Sequence, residues 1–199
     1  MPVTSAVLTD QDAQIKIANR QRPENDVYPT PLWAAEQTLR RLAEFDINDI
    51  LDVGAGSGVW GRAAVSVWPD ASRLHGVEIR YLPIPDTYTL WFAGRDFLTS
   101  DLPYKYDLVM GNPPYKDAEA FVRRSLHFTK DDGWVAFLLP ITFLNSQGRA
   151  KLFKEFPPRY VVPFSKRPSF SGNGKTKNGE YMSIYWQKGH TGKTWIEWI

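Results

Sequence analysis

The sequence lacks cysteine altogether and contains little histidine. It has 0 Cys among 199 residues, which excludes a disulfide framework, a thiolate metal site and a cysteine nucleophile. The 3 His are His75, His127 and His190, and their spacing is not that of a zinc pair. We therefore expect no bound metal and no catalysis through a thiol.

Long apolar runs are also missing. The longest mainly apolar stretch covers residues 135–144 and contains Pro140. It falls far short of the roughly 20 residues that a membrane helix requires. The chain start carries Asp10, Asp12 and Lys16 and has no unbroken apolar stretch, so it does not resemble an export signal. We expect a soluble, cytoplasmic protein with no membrane partner.

The composition that remains is typical of one globular domain. Hydrophobic residues make up 43% and charged residues 23%, which suffices for a sizeable core. The formal charge of +2 permits a nucleic-acid partner without requiring one. Aromatic residues reach 14%, including 8 Trp, which suggests a use for aromatic rings beyond the core.

Apolar periodicity predicts strands and helices that alternate along the chain. Strands are predicted at residues 47–53, 74–79, 88–93, 107–110, 134–139, 160–164 and 181–187, and helices at 32–45, 59–67, 117–128 and 146–156. This alternation predicts an α/β fold with a mainly parallel sheet covered on both faces. We expect an N-terminal arm (residues 1–27), one main domain (28–187) and a short tail (188–199).

A glycine-rich turn joins the first strand to the next helix. It has the sequence Asp52-Val53-Gly54-Ala55-Gly56-Ser57-Gly58. Glycines allow positive φ and let the backbone approach a ligand closely, although a plain glycine turn is the alternative. Glu78 ends the following strand, where a carboxylate can accept both hydrogen bonds of a ribose diol. The alternative for Glu78 is a surface carboxylate beside Arg80.

Asp96 and Phe97 follow the third strand region. A carboxylate at this position can accept a hydrogen bond from the exocyclic amine of adenine, and an aromatic ring can stack on the base. Simple core packing explains Phe97 equally well. Because all these segments follow the carboxyl ends of strands, we expect them to meet at one edge of the sheet, where ligands of such folds bind.

The sharpest feature of the sequence is Asn112-Pro113-Pro114-Tyr115, directly after a strand. Two prolines restrict the chain and remove two backbone donors. The Asn112 amide oxygen and the neighbouring carbonyl are then acceptors on a rigid turn, suited to an amino group that donates both its hydrogens. Tyr115 offers a flat face for a planar substrate. A chance asparagine before a proline-terminated turn is the weaker alternative.

A basic loop precedes the last predicted strand. It places Lys166, Arg167, Lys175 and Lys177 around Phe170. Cations contact phosphates, and an aromatic ring on a loop can stack on an unpaired base. A solvated surface loop is the ordinary alternative for such a charge run.

Together these motifs resemble, in order, those of the class I S-adenosylmethionine-dependent methyltransferases. The Asn-Pro-Pro-Tyr form is that family's signature of amino methylation, most often at adenine N6. Thr30-Pro31 resembles the extra cofactor motif of the gamma-type DNA adenine methyltransferases, and Pro168-Ser169-Phe170 resembles their late aromatic motif. The resemblance covers residues 28–187. It implies a Rossmann-like, seven-stranded, mostly parallel sheet whose last strand is antiparallel.

The resemblance also implies a cofactor and a role for each matching residue. S-adenosylmethionine would be held by Thr30, Asp52, Gly54, Gly56, Gly58, Glu78, Asp96 and Phe97. The target amine would be gripped in a catalytic turn formed by Asn112, Pro113, Pro114 and Tyr115. Substrate contacts would come from Phe170 and from Lys166, Arg167, Lys175 and Lys177. The methyl group would pass directly and in line to a flipped base, since a paired and stacked amine cannot be reached.

The substrate remains open at this level. We expect DNA, with RNA as second choice, because of the basic loop around Phe170. Only a short tail follows the last predicted strand, so recognition of a long site would require a partner subunit. Two alternatives stand beside this: a protein glutamine methyltransferase, a class that shares Asn-Pro-Pro-Tyr, and a non-catalytic, cofactor-binding subunit of a methyltransferase complex.

Overall fold

The computed structural model describes residues 29–170 and 179–198. Its helices are α1 (Leu32–Arg40), α2 (Val59–Val67), α3 (Ala118–Phe128) and α4 (Ala150–Glu155), with 3-10 turns at Ile141–Phe143 and Gln147–Arg149. Its strands are β1 (Asp49–Val53), β2 (Arg73–Glu78), β3 (Leu90–Ala93), β4 (Tyr106–Gly111), β5 (Thr129–Pro140), β6 (Tyr160–Pro163), β7 (Tyr181–Gln187) and β8 (Trp195–Ile196). The arm expected over residues 1–27 lies outside the described residues.

The strands form a single mixed sheet in the order β3-β2-β1-β4-β5-β7-β6-β8. From β3 to β5 neighbouring strands are parallel, and β7 is antiparallel to both β5 and β6. The expected α/β fold is confirmed. The described strands number eight rather than seven, because Trp195 and Ile196 of the predicted tail pair in parallel with Tyr160 and Val161. A two-residue strand is too short to show periodicity in the sequence.

Helices cover both faces of the sheet, and the strand side chains alternate between them. On β4, Leu108 and Met110 belong to the apolar cluster that includes residues of α1 and α2, whereas Val109 belongs to the cluster of α3 and α4. All three side chains are fully buried. This two-sided burial explains the continuous apolar runs at residues 108–110 of β4 and 134–139 of β5.

Helix α1 is shorter than the sequence predicted. The expected helix ran to Phe45, but α1 ends at Arg40. Beyond it the amides of Leu42 and Ala43 donate to carbonyls three residues earlier, at 2.9 and 3.2 Å, so the chain tightens into turns. Leu42 remains fully buried, so its helical spacing reflects a real core contact.

The sheet order brings the unusual segments of the sequence to one edge. Strands β2, β1 and β4 are neighbours and parallel, with Val53 opposite Val77 and Asp52 opposite Met110. The segments after these strands therefore emerge side by side, at the carboxyl edge of the sheet. In the part of the chain that the structure describes, no helix has the length and apolar character needed to cross a membrane.

Candidate active site

The glycine turn after β1 has a backbone that only glycine adopts readily. Gly54, Gly56 and Gly58 have φ of 73°, 58° and 79°. The amide of Gly54 donates to Val77 O of β2 at 2.9 Å, which fastens the turn to the neighbouring strand. A Cβ at Gly54 would meet no atom within 4 Å, whereas one at Gly58 would lie 2.8 Å from Pro85 Cγ. The turn is thus packed at Gly58 and open at Gly54.

Glu78 lies beside this turn at the end of β2, and its side chain is almost fully buried. Its Oε2 accepts a hydrogen bond from the amide of Gly56 at 2.8 Å. Its Oε1 accepts two from Arg80, from the backbone amide at 3.0 Å and from Nε at 2.7 Å. The carboxylate is therefore held in place next to the glycine turn. Contact with a ribose stays a prediction.

Asp52 is a buried carboxyl group beneath the glycine turn. Its Oδ2 accepts a hydrogen bond from the Tyr88 hydroxyl at 2.5 Å, and that hydroxyl accepts one from the amide of Gly61 at 3.1 Å. Among the described residues, Asp52 Oδ1 has no hydrogen-bond partner. Burial, aided by the negative charge of Glu78, raises the pKa of Asp52 to about 7, although the bond from Tyr88 acts in the opposite sense.

Asp96 and Phe97 follow β3 but differ in environment. The Asp96 carboxylate is half-buried and accepts a hydrogen bond from the amide of Leu98 at 2.9 Å. The Phe97 ring is buried in the core, with its centroid 5.2 Å from that of Phe121. The structure thus shows the core packing that the sequence left open for Phe97. Contacts of both residues with adenine stay predictions.

Asn112 follows directly after β4, and its amide is anchored at one end. Its Nδ2 donates a hydrogen bond of 3.1 Å to Thr30 Oγ1, and Trp60 Nε1 donates to the same oxygen at 3.3 Å. Within the described residues, Asn112 Oδ1 is buried and accepts no hydrogen bond. A buried acceptor without a hydrogen bond lowers the stability of a fold by about 1–3 kcal/mol. A ligand that donated a hydrogen bond to this oxygen would remove that penalty.

Thr30 and Trp60 were not expected in these roles. The resemblance assigned Thr30 to the cofactor, and the structure adds a contact with Asn112 of the Asn-Pro-Pro-Tyr turn. Trp60 is a core residue, 4% exposed, and its indole N–H donates to Thr30. The sequence gives little sign of the contact between Trp60 and Thr30: each residue lies near the start of a predicted helix, one with an indole and the other with a hydroxyl.

Aromatic rings gather next to the Asn-Pro-Pro-Tyr turn. Tyr115 and Phe170 are half-buried, and both contact Tyr181, the first residue of β7. The ring centroids of Tyr115 and Tyr181 lie 6.1 Å apart, and those of Phe170 and Tyr181 lie 4.6 Å apart. The structure therefore brings together the two rings that the sequence proposed for base stacking. Tyr181 was missed because a strand residue gives no sign of what lies beside it.

The basic loop is described only in part. The Lys166 ammonium lies 5.0 Å from the centroid of the Trp33 ring, and Arg167 pairs with Glu180 at 3.4 Å on the surface. Lys175 and Lys177 lie outside the described residues. Substrate contacts by these cations stay predictions. In the described part of the chain, no group of His, Asp and Glu side chains is arranged to hold a metal ion.

Two curated relatives share part of their sequence with the chain. It is 28% identical over 158 residues to the type II methyltransferase M.CvrRI of Paramecium bursaria Chlorella virus XZ-6E, covering 66% of this chain and 40% of the relative. It is 27% identical over 161 residues to malonyl-[acyl-carrier protein] O-methyltransferase of Acetivibrio thermocellus, covering 70% and 56%. The chain thus spans about half the length of the curated relatives it matches. No protein-family model matches it.

Solved structures share the whole architecture. A Listeria monocytogenes protein assigned to the class I S-adenosylmethionine-dependent methyltransferases aligns with TM-score 0.67 and 12% identity, covering 95% of this chain and 72% of that one. N-methyltransferase NodS of Bradyrhizobium japonicum WM9, in complex with S-adenosyl-L-homocysteine, aligns with TM-score 0.55 and 11% identity, covering 89% and 99%. The chain therefore has the Rossmann-like fold of the class I S-adenosylmethionine-dependent methyltransferases.

Proposed function

We propose that the chain is an S-adenosylmethionine-dependent methyltransferase that modifies the exocyclic N6 amine of adenine in DNA. The observation that carries the proposal is the amide of Asn112. Its Nδ2 is bound by Thr30, and its buried Oδ1 accepts nothing among the described residues. With the Pro113 carbonyl as a second acceptor on a turn stiffened by two prolines, this oxygen would suit an amino group, which donates two N–H bonds, better than a hydroxyl, which donates one.

The cofactor that the fold and the relatives support is S-adenosylmethionine, which supplies an electrophilic methyl group. The residues of the glycine turn fit such a ligand, because Gly54 leaves open space where a side chain would stand, and a Cβ at Gly56 would come no closer than 3.8 Å to its neighbours. Glu78 lies next to the turn, in reach of a ribose bound there. We assign the cofactor to Thr30, Asp52, the three glycines, Glu78 and the Asp96–Phe97 segment.

The chain's contribution to the chemistry is positioning and polarisation. Asn112 Oδ1 and the Pro113 carbonyl would accept the two N–H bonds of the target amine and turn its lone pair toward the methyl group. S-adenosylmethionine, held by the residues assigned above, would supply the methyl group, and the amine positioned by Asn112 and Pro113 would accept it as the S–C bond is lost. The amine gives up one proton to water, so no strong base is required.

Tyr115, Phe170 and Tyr181 would hold the flipped base. Aromatic stacking is worth about 1–3 kcal/mol per base and tolerates any planar ring, so these rings position the base rather than identify it. The similarity to a type II methyltransferase favours DNA. RNA is the second candidate, since a Pyrococcus horikoshii protein assigned as an RNA methyltransferase has the same fold with TM-score 0.62.

Recognition of the target sequence would come from a second protein. A matching fold occurs in a protein assigned as a modification subunit of a type I restriction enzyme, of which this chain covers 50%. We therefore propose a partner subunit that reads the target sequence. The basic loop around Phe170 would add contacts with phosphates that are independent of sequence.

Labelled methyl transfer to DNA, RNA and protein in parallel tests the proposal, followed by nucleoside analysis of the product. We expect N6-methyladenine in DNA, and we expect Asn112→Ala to abolish it. Asn48→Ala is the matched control, because Asn48 lies before β1 at the opposite edge of the sheet and, among the described residues, its side chain bonds only Asp46. Label in protein alone, or full activity of Asn112→Ala, would overturn the proposal.

A further inference from the structure

A cavity lies at the edge of the sheet opposite to the candidate active site. It has a volume of about 370 Å³, within the range of small-molecule sites. Lys105, just before β4, and Lys188, just after the antiparallel β7, both line it. Asn112 follows the other end of β4, whose six residues span about 17 Å. The cavity is therefore separate from the catalytic turn.

The lining of this cavity is basic and contains no carboxylate among the described residues. Five of its side chains are basic: Lys105, Arg123, His127, Lys188 and His190. Its apolar part is formed by Leu126, Phe156, Pro157 and Trp186. A cavity with a cationic rim and an apolar wall suits an anion that carries an organic group.

Two of the cations are fixed in place without losing their charge. Lys105 Nζ donates to His127 O, and Lys188 Nζ donates to Thr129 O at 2.8 Å. His127 lies in the last turn of α3, whose C-terminal end attracts cations, and Thr129 is the first residue of β5. A carbonyl is neutral, so both lysines keep their charge, and each ammonium group keeps N–H donors beyond the one that its carbonyl accepts. Lys188 also pairs at 3.3 Å with Asp131, whose side chain is 97% exposed. Such an exposed ion pair is weak, so an anionic ligand can replace Asp131 as the partner of Lys188.

Arg123 has a different part in the cavity. It pairs with Glu119 at 3.1 Å and with Glu155 at 2.8 Å, so its charge is already balanced by side chains outside the lining. Its guanidinium lies 5.7 Å from the centroid of the Phe156 ring and supports the apolar wall. Among the described residues Lys105 has no ion pair, and Lys188 pairs only with the exposed Asp131, so the least balanced positive charge lies on the side of the two lysines.

We propose that this cavity binds a phosphate monoester. The phosphate group would lie between Lys105 and Lys188, and the organic part would lie on Phe156 and Pro157. A free mononucleotide and the 5′-phosphate end of a nucleic acid offer the same chemistry. The inference does not depend on the methyl acceptor proposed above, because neither lysine belongs to the catalytic turn or the glycine turn.

Calorimetric titration of the full chain with uridine monophosphate tests this site, with uridine as the ligand that lacks the phosphate. S-adenosylhomocysteine is kept saturating, so that nucleotides cannot enter the proposed cofactor site. We expect the monophosphate to bind at least about tenfold more tightly than uridine. The same monophosphate should bind about tenfold more weakly to the double variant Lys105→Gln/Lys188→Gln, which keeps donors for both carbonyls.

The control variant is Lys151→Gln/Lys154→Gln, which removes two exposed lysines of α4 that do not line the cavity. It should bind the monophosphate like the parent chain, and thermal melting should show that both double variants are folded. Comparing a 5′-phosphorylated with a 5′-hydroxyl oligonucleotide then identifies the source of the phosphate. Absence of binding at millimolar monophosphate, or equal affinity of the two double variants, would overturn the assignment.

Discussion

Asn112 Nδ2 and Thr30 Oγ1 are joined by a hydrogen bond of 3.1 Å across 82 residues of sequence. The bond connects the residue after β4 to the segment that leads into α1. It leaves Asn112 Oδ1 as the end of the amide that remains for a ligand. The orientation of the proposed catalytic amide is thus set by a side chain from the start of the described chain.

Replacing Thr30 with valine should lower kcat of methyl transfer about tenfold, because the isosteric side chain cannot accept from Asn112 or Trp60. The affinity for S-adenosylhomocysteine should change less than kcat. Thr30→Ser keeps the hydroxyl and should retain most of the activity. A weaker cofactor affinity with an unchanged kcat would show instead that Thr30 acts on the cofactor alone. Steady-state kinetics and calorimetry on the three proteins separate these outcomes.

Asp52 should make the stability of the fold depend on pH. Its pKa rises from an ordinary 3.8 to about 7 on folding, so between these values the folded chain binds a proton that the unfolded chain has lost. The free energy of unfolding should therefore fall as the pH rises from about 4 to about 7. The loss from this group is on the order of 4 kcal/mol in total.

Urea unfolding of the parent chain and of Asp52→Asn across this pH range measures the effect. The amide does not titrate, so the variant should lack this part of the pH dependence, and the difference between the two stabilities should change steadily over the window. Parallel curves for the two proteins would contradict a raised pKa at Asp52. Tyr88→Phe, which removes the hydroxyl that donates to Asp52, should raise the pKa of Asp52 further.

Glu78→Ala should weaken the binding of S-adenosylhomocysteine about tenfold or more, and the binding of nucleic acid much less. The substitution removes the proposed acceptor for the ribose and also the partner of the Gly56 amide in the glycine turn. Glu44→Ala is a suitable control, since that carboxylate is exposed and, within the part of the chain that the structure describes, pairs only with Arg41. Calorimetry that showed the reverse order of losses would refute the assignment of Glu78 to the cofactor.

Tyr181→Ala should raise KM for an oligonucleotide substrate about tenfold and alter kcat less, because stacking energy is lost from the proposed base pocket. A fluorescent base analogue at the target position should show a smaller signal from the flipped state. Tyr104→Ala is the control: this exposed ring contacts His75 and Arg73, away from Asn112. Equal KM values for the two variants would remove Tyr181 from the substrate site.

Local patterns in the sequence determined much of this protein. Alternation of apolar strands and helices predicts the parallel sheet, and the glycines before α2 predict the positive φ that the structure shows at all three positions. Asn112 and Tyr115 are found where the strand pattern of β4 placed them. These features depend on neighbours in the chain, so they are visible without a tertiary structure.

Tertiary structure decided the contacts between distant segments. The anchoring of Asn112 by Thr30, the support from Trp60 and the gathering of Tyr115 and Phe170 around Tyr181 all join residues far apart in sequence. The sequence left undecided whether Phe97 is buried in the core, and it did not predict β8 at the edge of the sheet. A periodic pattern tells which face of an element is buried, but only packing decides which side chain lies against it.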